Sequence, residues 1–128
     1  MNQTENVMTE LQYAAAFGAM LECALWSSIE WDSGEPFDSA YDISDIADAT
    51  RVDLIADLEA FIDSNADDIV ASGLSPEQIG HDFWLTRNHH GCGYWDRGLG
   101  AVGERLTKAT HPYGSVDLYL GDDGSIYA

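Results

Sequence analysis

Apolar positions recur every three to four residues along the first quarter of the chain. Val7, Leu11, Ala14 or Ala15, Gly18, Leu21 or Glu22, and Leu25 keep a helical period, and Met8, Phe17, Met20 and Trp26 broaden the apolar side. The pattern predicts a core helix over about 5–27, with Thr4 as its cap and Cys23 as a small buried hydrophobe. The period stops at 28–41, where Ser33-Gly34-Glu35-Pro36 signals a break. Trp31, Phe37 and Tyr41 inside that stretch predict a loop packed down on the core. A short helix is expected over 42–48, with Ile43 and Ile46 inward. A long one follows over about 51–71, carried by Val52, Ile55, Leu58, Phe61, Ile62 and Ile69. Thr50 and Asp53 have capping-box spacing at its start, Ser64-Asn65 is a candidate interruption, and Gly73 is the stop.

Ser75-Pro76-Glu77-Gln78 reads as a helix start, with Ser as cap, Pro at the first position and Gln closing the box. It predicts a helix over about 76–87. A further helix over about 98–110 is expected although Gly98, Gly100 and Gly103 each cost ~1 kcal/mol relative to Ala. Ser115–Leu120 alternates, Gly121-Asp122-Asp123-Gly124 turns and Ser125–Tyr127 returns, which is a β-hairpin pattern. The fold expected is α+β and mostly α, with four to five helices and a small C-terminal hairpin. A length of 128 residues suits one domain around one core. Within it, an acidic helical part (about 1–72) precedes a Gly- and aromatic-rich part (about 73–128).

Charge changes the picture. The formal net charge is −18, from 23 acids against 5 bases, while 45% of residues are hydrophobic, so this is a folding chain and not a disordered acidic tail. The charge is lopsided: residues 1–70 hold 16 acids and one base, Arg51, whereas 71–128 hold 7 acids and 4 bases. Thirteen of the acids fall between Glu30 and Asp68. On the helix expected there, Asp53, Asp57, Asp67 and Asp68 would cluster opposite the apolar side, with Glu59 and Asp63 on the flank. Six acids over residues 53–68 give roughly one charge per 4 Å of helix axis. One DNA strand carries about one phosphate per 3.4 Å. A surface this acidic repels nucleic acid and anionic membranes and attracts basic surfaces, which are mostly those of nucleic-acid-binding proteins.

No run reaches the ~20 apolar residues of a membrane span. The apolar run Ala14–Leu21 lacks a basic leader and follows Glu5 and Glu10, so no secretion signal is expected. Cytoplasmic location with reduced thiols is the expectation, without a Cys23–Cys92 bridge.

The second informative stretch is Gly80–Gly98, GHDFWLTRNHHGCGYWDRG. His81, His89, His90 and Cys92 offer zinc-ligating atoms, but their spacing matches no familiar site. Cys92 with His89 or His90 would need a third orienting group to make a nucleophile, and Asp96 is at hand. The plainer expectation is structural: Phe83, Trp84, Tyr94 and Trp95 pack, and the polar residues bond a Gly-rich turn. No catalytic residue, metal ligand or cofactor is assigned. Asp122-Asp123-Gly124 lacks the ligand spacing of a calcium loop and reads as a turn.

This motif, followed by LGxxGxRLT and LYLGDDGSIY, resembles a family of small phage-encoded proteins of unassigned function. Its typical form is GHDFWLTRN-x-HG-x-GFWDRG, from which Cys92 and Tyr94 depart. The resemblance covers residues 80–127 and leaves the acidic half outside. It implies a phage gene expressed in a bacterial host cytoplasm.

Charge and resemblance together give the functional expectation. It is an acidic phage inhibitor that mimics nucleic acid and occupies the basic groove of a host nucleic-acid-binding defence complex, of anti-CRISPR or anti-restriction type. Asp53, Asp57, Asp63, Asp67 and Asp68 are the first candidate contacts, then Asp38, Asp42 and Asp45, with Trp31 and Tyr41 as apolar anchors. Neither direct nucleic-acid binding nor a membrane is expected, and a homodimer through the broadly apolar first helix stays open. The alternatives are a small metal- or cysteine-dependent enzyme centred on 80–96 and a virion assembly protein.

Overall fold

The computed structural model describes residues 7–91 and 93–128. The expectations for Thr4, Glu5 and Cys92 lie outside these. Five helices and a two-stranded antiparallel hairpin make up the described chain: α1 (Glu10–Ser27), α2 (Asp48–Ser64), α3 (Ala66–Ser72), α4 (Pro76–Arg87), α5 (Ala101–Thr110), β1 (Tyr119–Leu120) and β2 (Ile126–Tyr127). The expected class, α+β and mostly α, is the one found.

The centre of the fold is the crossing of α1 on α4. Tyr13, Ala16, Met20, Cys23 and Ala24 of α1 are buried, as are Ile79, Phe83 and Trp84 of α4. The backbones meet at Gly80, where a Cβ would stand 1.9 Å from the carbonyl oxygen of Ala16. Only glycine permits that approach. Phe61 of α2 joins from the side, 4.8 Å from the Phe83 ring and stacked at 5.8 Å on Tyr94. Helix α5 packs on α3 and on the 3-10 turn Tyr94–Asp96.

Several boundaries move from their expected places. Helix α1 starts at Glu10, because Thr9 accepts a hydrogen bond from the Gln12 N–H and Gln12 reaches back to Thr9. Its inward stripe is also rotated. Leu11, expected in the core, is 84% exposed, and the contact with α4 runs through Tyr13, Ala16 and Met20. The helix expected over 42–48 is a 3-10 turn, Ile43–Asp45. Asp42 and Asp45 form a reciprocal capping box around it, and the Ala47 N–H leaves the helical ladder to bond Ile126 of the hairpin. Helix α2 therefore begins at Asp48 with Ala47 as an uncapped start, and Thr50–Asp53 lies inside it. The interruption at Asn65 and the stop at Gly73 (φ 68°) fall where the sequence places them.

Helix α4 occupies the expected range, and Ser75 caps it by accepting from the Gln78 N–H. The Gln78 side chain does not close the box. It donates to Asp82 instead, at 2.8 Å. Gly98 and Gly100 stay outside α5, which starts three residues later than expected. The strands pair over only two residues each, yet the alternation holds: Val116, Leu118 and Leu120 turn inward between exposed Ser115, Asp117 and Tyr119. Asp123 braces the turn by accepting from the Ser125 N–H.

Candidate partner-binding surface

The acids expected to form one ridge are divided by the fold. Asp57 turns toward α4, where the buried Arg87 guanidinium donates to it at 3.0 Å. Arg87 also donates to the carbonyls of Tyr113 and Gly114 at 2.8 Å, so its position is fixed from three sides. Asp68 on α3 takes a two-pronged donation from Arg105 of α5. That pairing holds its carboxyl below the usual carboxylate range. Asp63 accepts from the Tyr13 hydroxyl at 2.5 Å, and burial together with this carboxylate pushes the phenol up to about 12. Asp53 and Asp67 are exposed and hold no hydrogen bond or ion pair among the described residues. The outward acids of α2 are thus Asp48, which pairs with Arg51, and Asp53, Glu59 and Asp63, the last three interspersed with Val52, Ala56 and Ala60. Asp57 and Asp68 are withdrawn from the face the sequence assigned to them.

A second group comes together elsewhere. Asp38, Tyr41 and Asp42 line a cleft of about 600 Å³ between the C-terminal half of α1 and the start of α2. Glu22 and Trp26 from α1 line it too, together with Ile43 and Arg51. Asp42 is fixed by the N–H and hydroxyl of Ser44, which hold it below its ordinary value. Asp45 is tied to the Asp42 N–H at 2.9 Å. Sequence reading missed Glu22 and Trp26, because a helix period assigned them to the core side. Trp26 is 46% exposed and lies 5.8 Å from the His81 ring.

Trp31, expected to pack down, is 92% exposed at the tip of a tight turn. The turn is stiff. Glu30, almost fully buried, accepts from the Asp32 N–H at 2.7 Å and the Ser33 N–H at 3.0 Å, and Ile29 bridges Pro36. Phe37, buried behind it, anchors the loop.

The Gly80–Gly98 motif is a brace. Asp82 is completely buried and accepts both prongs of Arg97 at 2.8 Å, the Gln78 amide at 2.8 Å, and has His81 Nδ1 at 3.1 Å. Thr86 Oγ1 accepts from the Tyr94 N–H, and the Tyr94 hydroxyl donates to the Ile79 carbonyl at 2.7 Å. Trp84 Nε1 donates to Ser27 on α1, and Asn88 accepts from the Val116 N–H. His89 lies beside His111, with ring centroids 4.9 Å apart, while His81 sits on α4 against Trp26. The described residues hold no group of three or more His, Cys, Asp or Glu arranged to bind a metal ion. Cys23 is buried against α4, where its thiol is pushed up to about 12 by burial and by Asp82, which makes it inert as a nucleophile.

All five basic side chains are spent inside the molecule. Arg51 pairs with Asp48, Arg87 with Asp57, Arg97 with Asp82, Arg105 with Asp68 and Lys108 with Glu104. The surplus that makes up the net charge of −18 has no further Lys or Arg to meet it. No helix among the described residues is long and apolar enough to cross a membrane. No protein-family model, curated protein or solved structure matches the chain.

Proposed function

We propose that this protein is an acidic inhibitor that mimics nucleic acid and occupies the basic groove of a host nucleic-acid-binding defence complex. The observation that carries the reading is the internal pairing of every Lys and Arg, which leaves uncompensated carboxylates to face a partner. Opposite charge steers encounter and raises the association rate. Exposed ion pairs contribute at most about 1 kcal/mol each, so affinity also needs apolar anchors. Trp31 on its stiff turn and Tyr41 at the acidic cleft are suited to that role. The contacts to expect are Asp53 and Asp67 on the helices and Asp38 and Asp42 at the cleft. Asp57 and Asp68 serve first as partners of Arg87 and Arg105, and Asp63 as partner of Tyr13. The resemblance of residues 80–127 to phage proteins makes a bacterial host the place to look for the target.

The test is affinity capture from nuclease-treated bacterial extract. Wild type should retain a nucleic-acid-binding complex and release it as salt rises. The triple variant Asp38→Asn, Asp53→Asn, Asp67→Asn should fold normally and lose the capture. Equal capture by wild type and the triple variant would sink the reading.

A further inference from the structure

Helix α1 carries two apolar stripes, and the fold uses only one of them fully. The Tyr13–Ala16–Met20 stripe is sealed against α4. The other contains Ala14, Gly18, Leu21 and Leu25. Leu21 and Leu25 are already buried, while Ala14 is exposed and Gly18 half-buried, and the stripe borders a trough between α1 and α2, which touch only sparsely. The trough consists of the acidic cleft already described and an apolar cavity of about 470 Å³ beside it. The cleft and this neighbour share Ile43 and Arg51 as a common wall. From Ala14 to Trp26 the trough follows α1 for about 18 Å, the length of roughly twelve helical residues. At Gly18 the wall is open, since a Cβ there would meet no atom within 4 Å. Val52 on the opposite wall is 65% exposed.

The geometry points to a docking site for a basic amphipathic helix of a partner protein, in the trough between α1 and α2. An apolar floor at helical spacing fits the apolar face of such a helix. The rim fits its charged face: Glu22, Asp38, Asp42 and Asp48 stand around the trough, and the single cation, Arg51, is already paired with Asp48. A helix is favoured over an extended segment because, although the 38–44 loop forms one side of the cleft, the long walls of the apolar cavity are the helices α1 and α2. Their backbone groups are bonded internally and offer no edge for a strand. A second copy of the chain is disfavoured as occupant by its own charge of −18. The inference rests on the reading of a cationic protein partner, but not on nucleic-acid mimicry.

The probe is a Leu/Lys peptide about 15 residues long, with its leucines on one helical face. Two controls accompany it, the same composition in scrambled order and a Leu/Glu version. Binding to the full chain is measured by calorimetry. The patterned basic peptide should bind about ten-fold or more tighter than the scrambled one, and the acidic one should not bind. Gly18→Leu fills the trough where space is open and raises helix propensity, so circular dichroism and the thermal midpoint should hold while the patterned peptide loses its advantage. Equal binding of patterned and scrambled peptides, unchanged binding to Gly18→Leu, or a wild-type dimer that Gly18→Leu dissociates would each overturn the proposal. Loss of extract capture with peptide discrimination intact would remove mimicry and leave the trough standing.

Discussion

At the scale of single residues, the fold turns on polar groups that the sequence makes look like candidate chemistry. Asp82 in the Gly80–Gly98 motif is a buried brace for Arg97 and Gln78. Asp82→Asn should cost about 3 kcal/mol in urea unfolding, the low end for breaking a buried pair, because Arg97 stays partly solvated. Asp53→Asn, on an open face, should stay within about 0.5 kcal/mol of wild type. Asp68 supplies a pH signature. Its carboxyl is held below its ordinary value by Arg105, so the contribution of the pair is present above that ordinary value and is lost as pH falls through the depressed one. Carboxyl titration by NMR should show Asp68 ionising below its ordinary value, and Arg105→Ala should raise it back toward that value. The acids could be counted from the sequence but not sorted. Asp57 meets Arg87 and Asp68 meets Arg105 across 30 and 37 residues of chain, distances that helical periodicity does not reach.

At the scale of elements, start signals are legible where the cap is local. Ser75-Pro76 fixed α4, and Asn65 and Gly73 fixed the limits of α3. They are not legible where a distant partner decides. The turn at Ile43–Asp45 does not extend into a helix because Ala47 bonds Ile126, some eighty residues on. Likewise α1 has enough apolar residues for two faces, and periodicity alone could not say which one α4 would cover. Gly80 did say it in principle: a glycine inside a helix suggests a close backbone approach. Gly80→Ala should destabilise the chain by roughly 1–3 kcal/mol or more, since the new methyl group falls on the Ala16 carbonyl and neither helix can yield without moving the other. Chemical unfolding of Gly80→Ala beside Gly18→Ala gives the contrast, because the second substitution meets open space.

At the scale of the molecule, the charge of −18 is a property of the surface and a cost to the fold. With every cation paired internally, the remaining carboxylates repel one another, and salt should relieve that repulsion. The thermal midpoint is therefore expected to rise with sodium chloride concentration; a midpoint that falls would mean that the internal pairs outweigh the repulsion. The same salt should weaken capture of a basic partner, so stability and binding should move in opposite directions. The central claim is that this surface competes with a polynucleotide for a cationic groove. Its most direct measurement is competition on the captured complex, with labelled nucleic acid bound first and this protein titrated in. The account predicts full displacement by wild type and little by the Asp38, Asp53, Asp67 triple Asn variant. Simultaneous binding of protein and nucleic acid to that complex would contradict it.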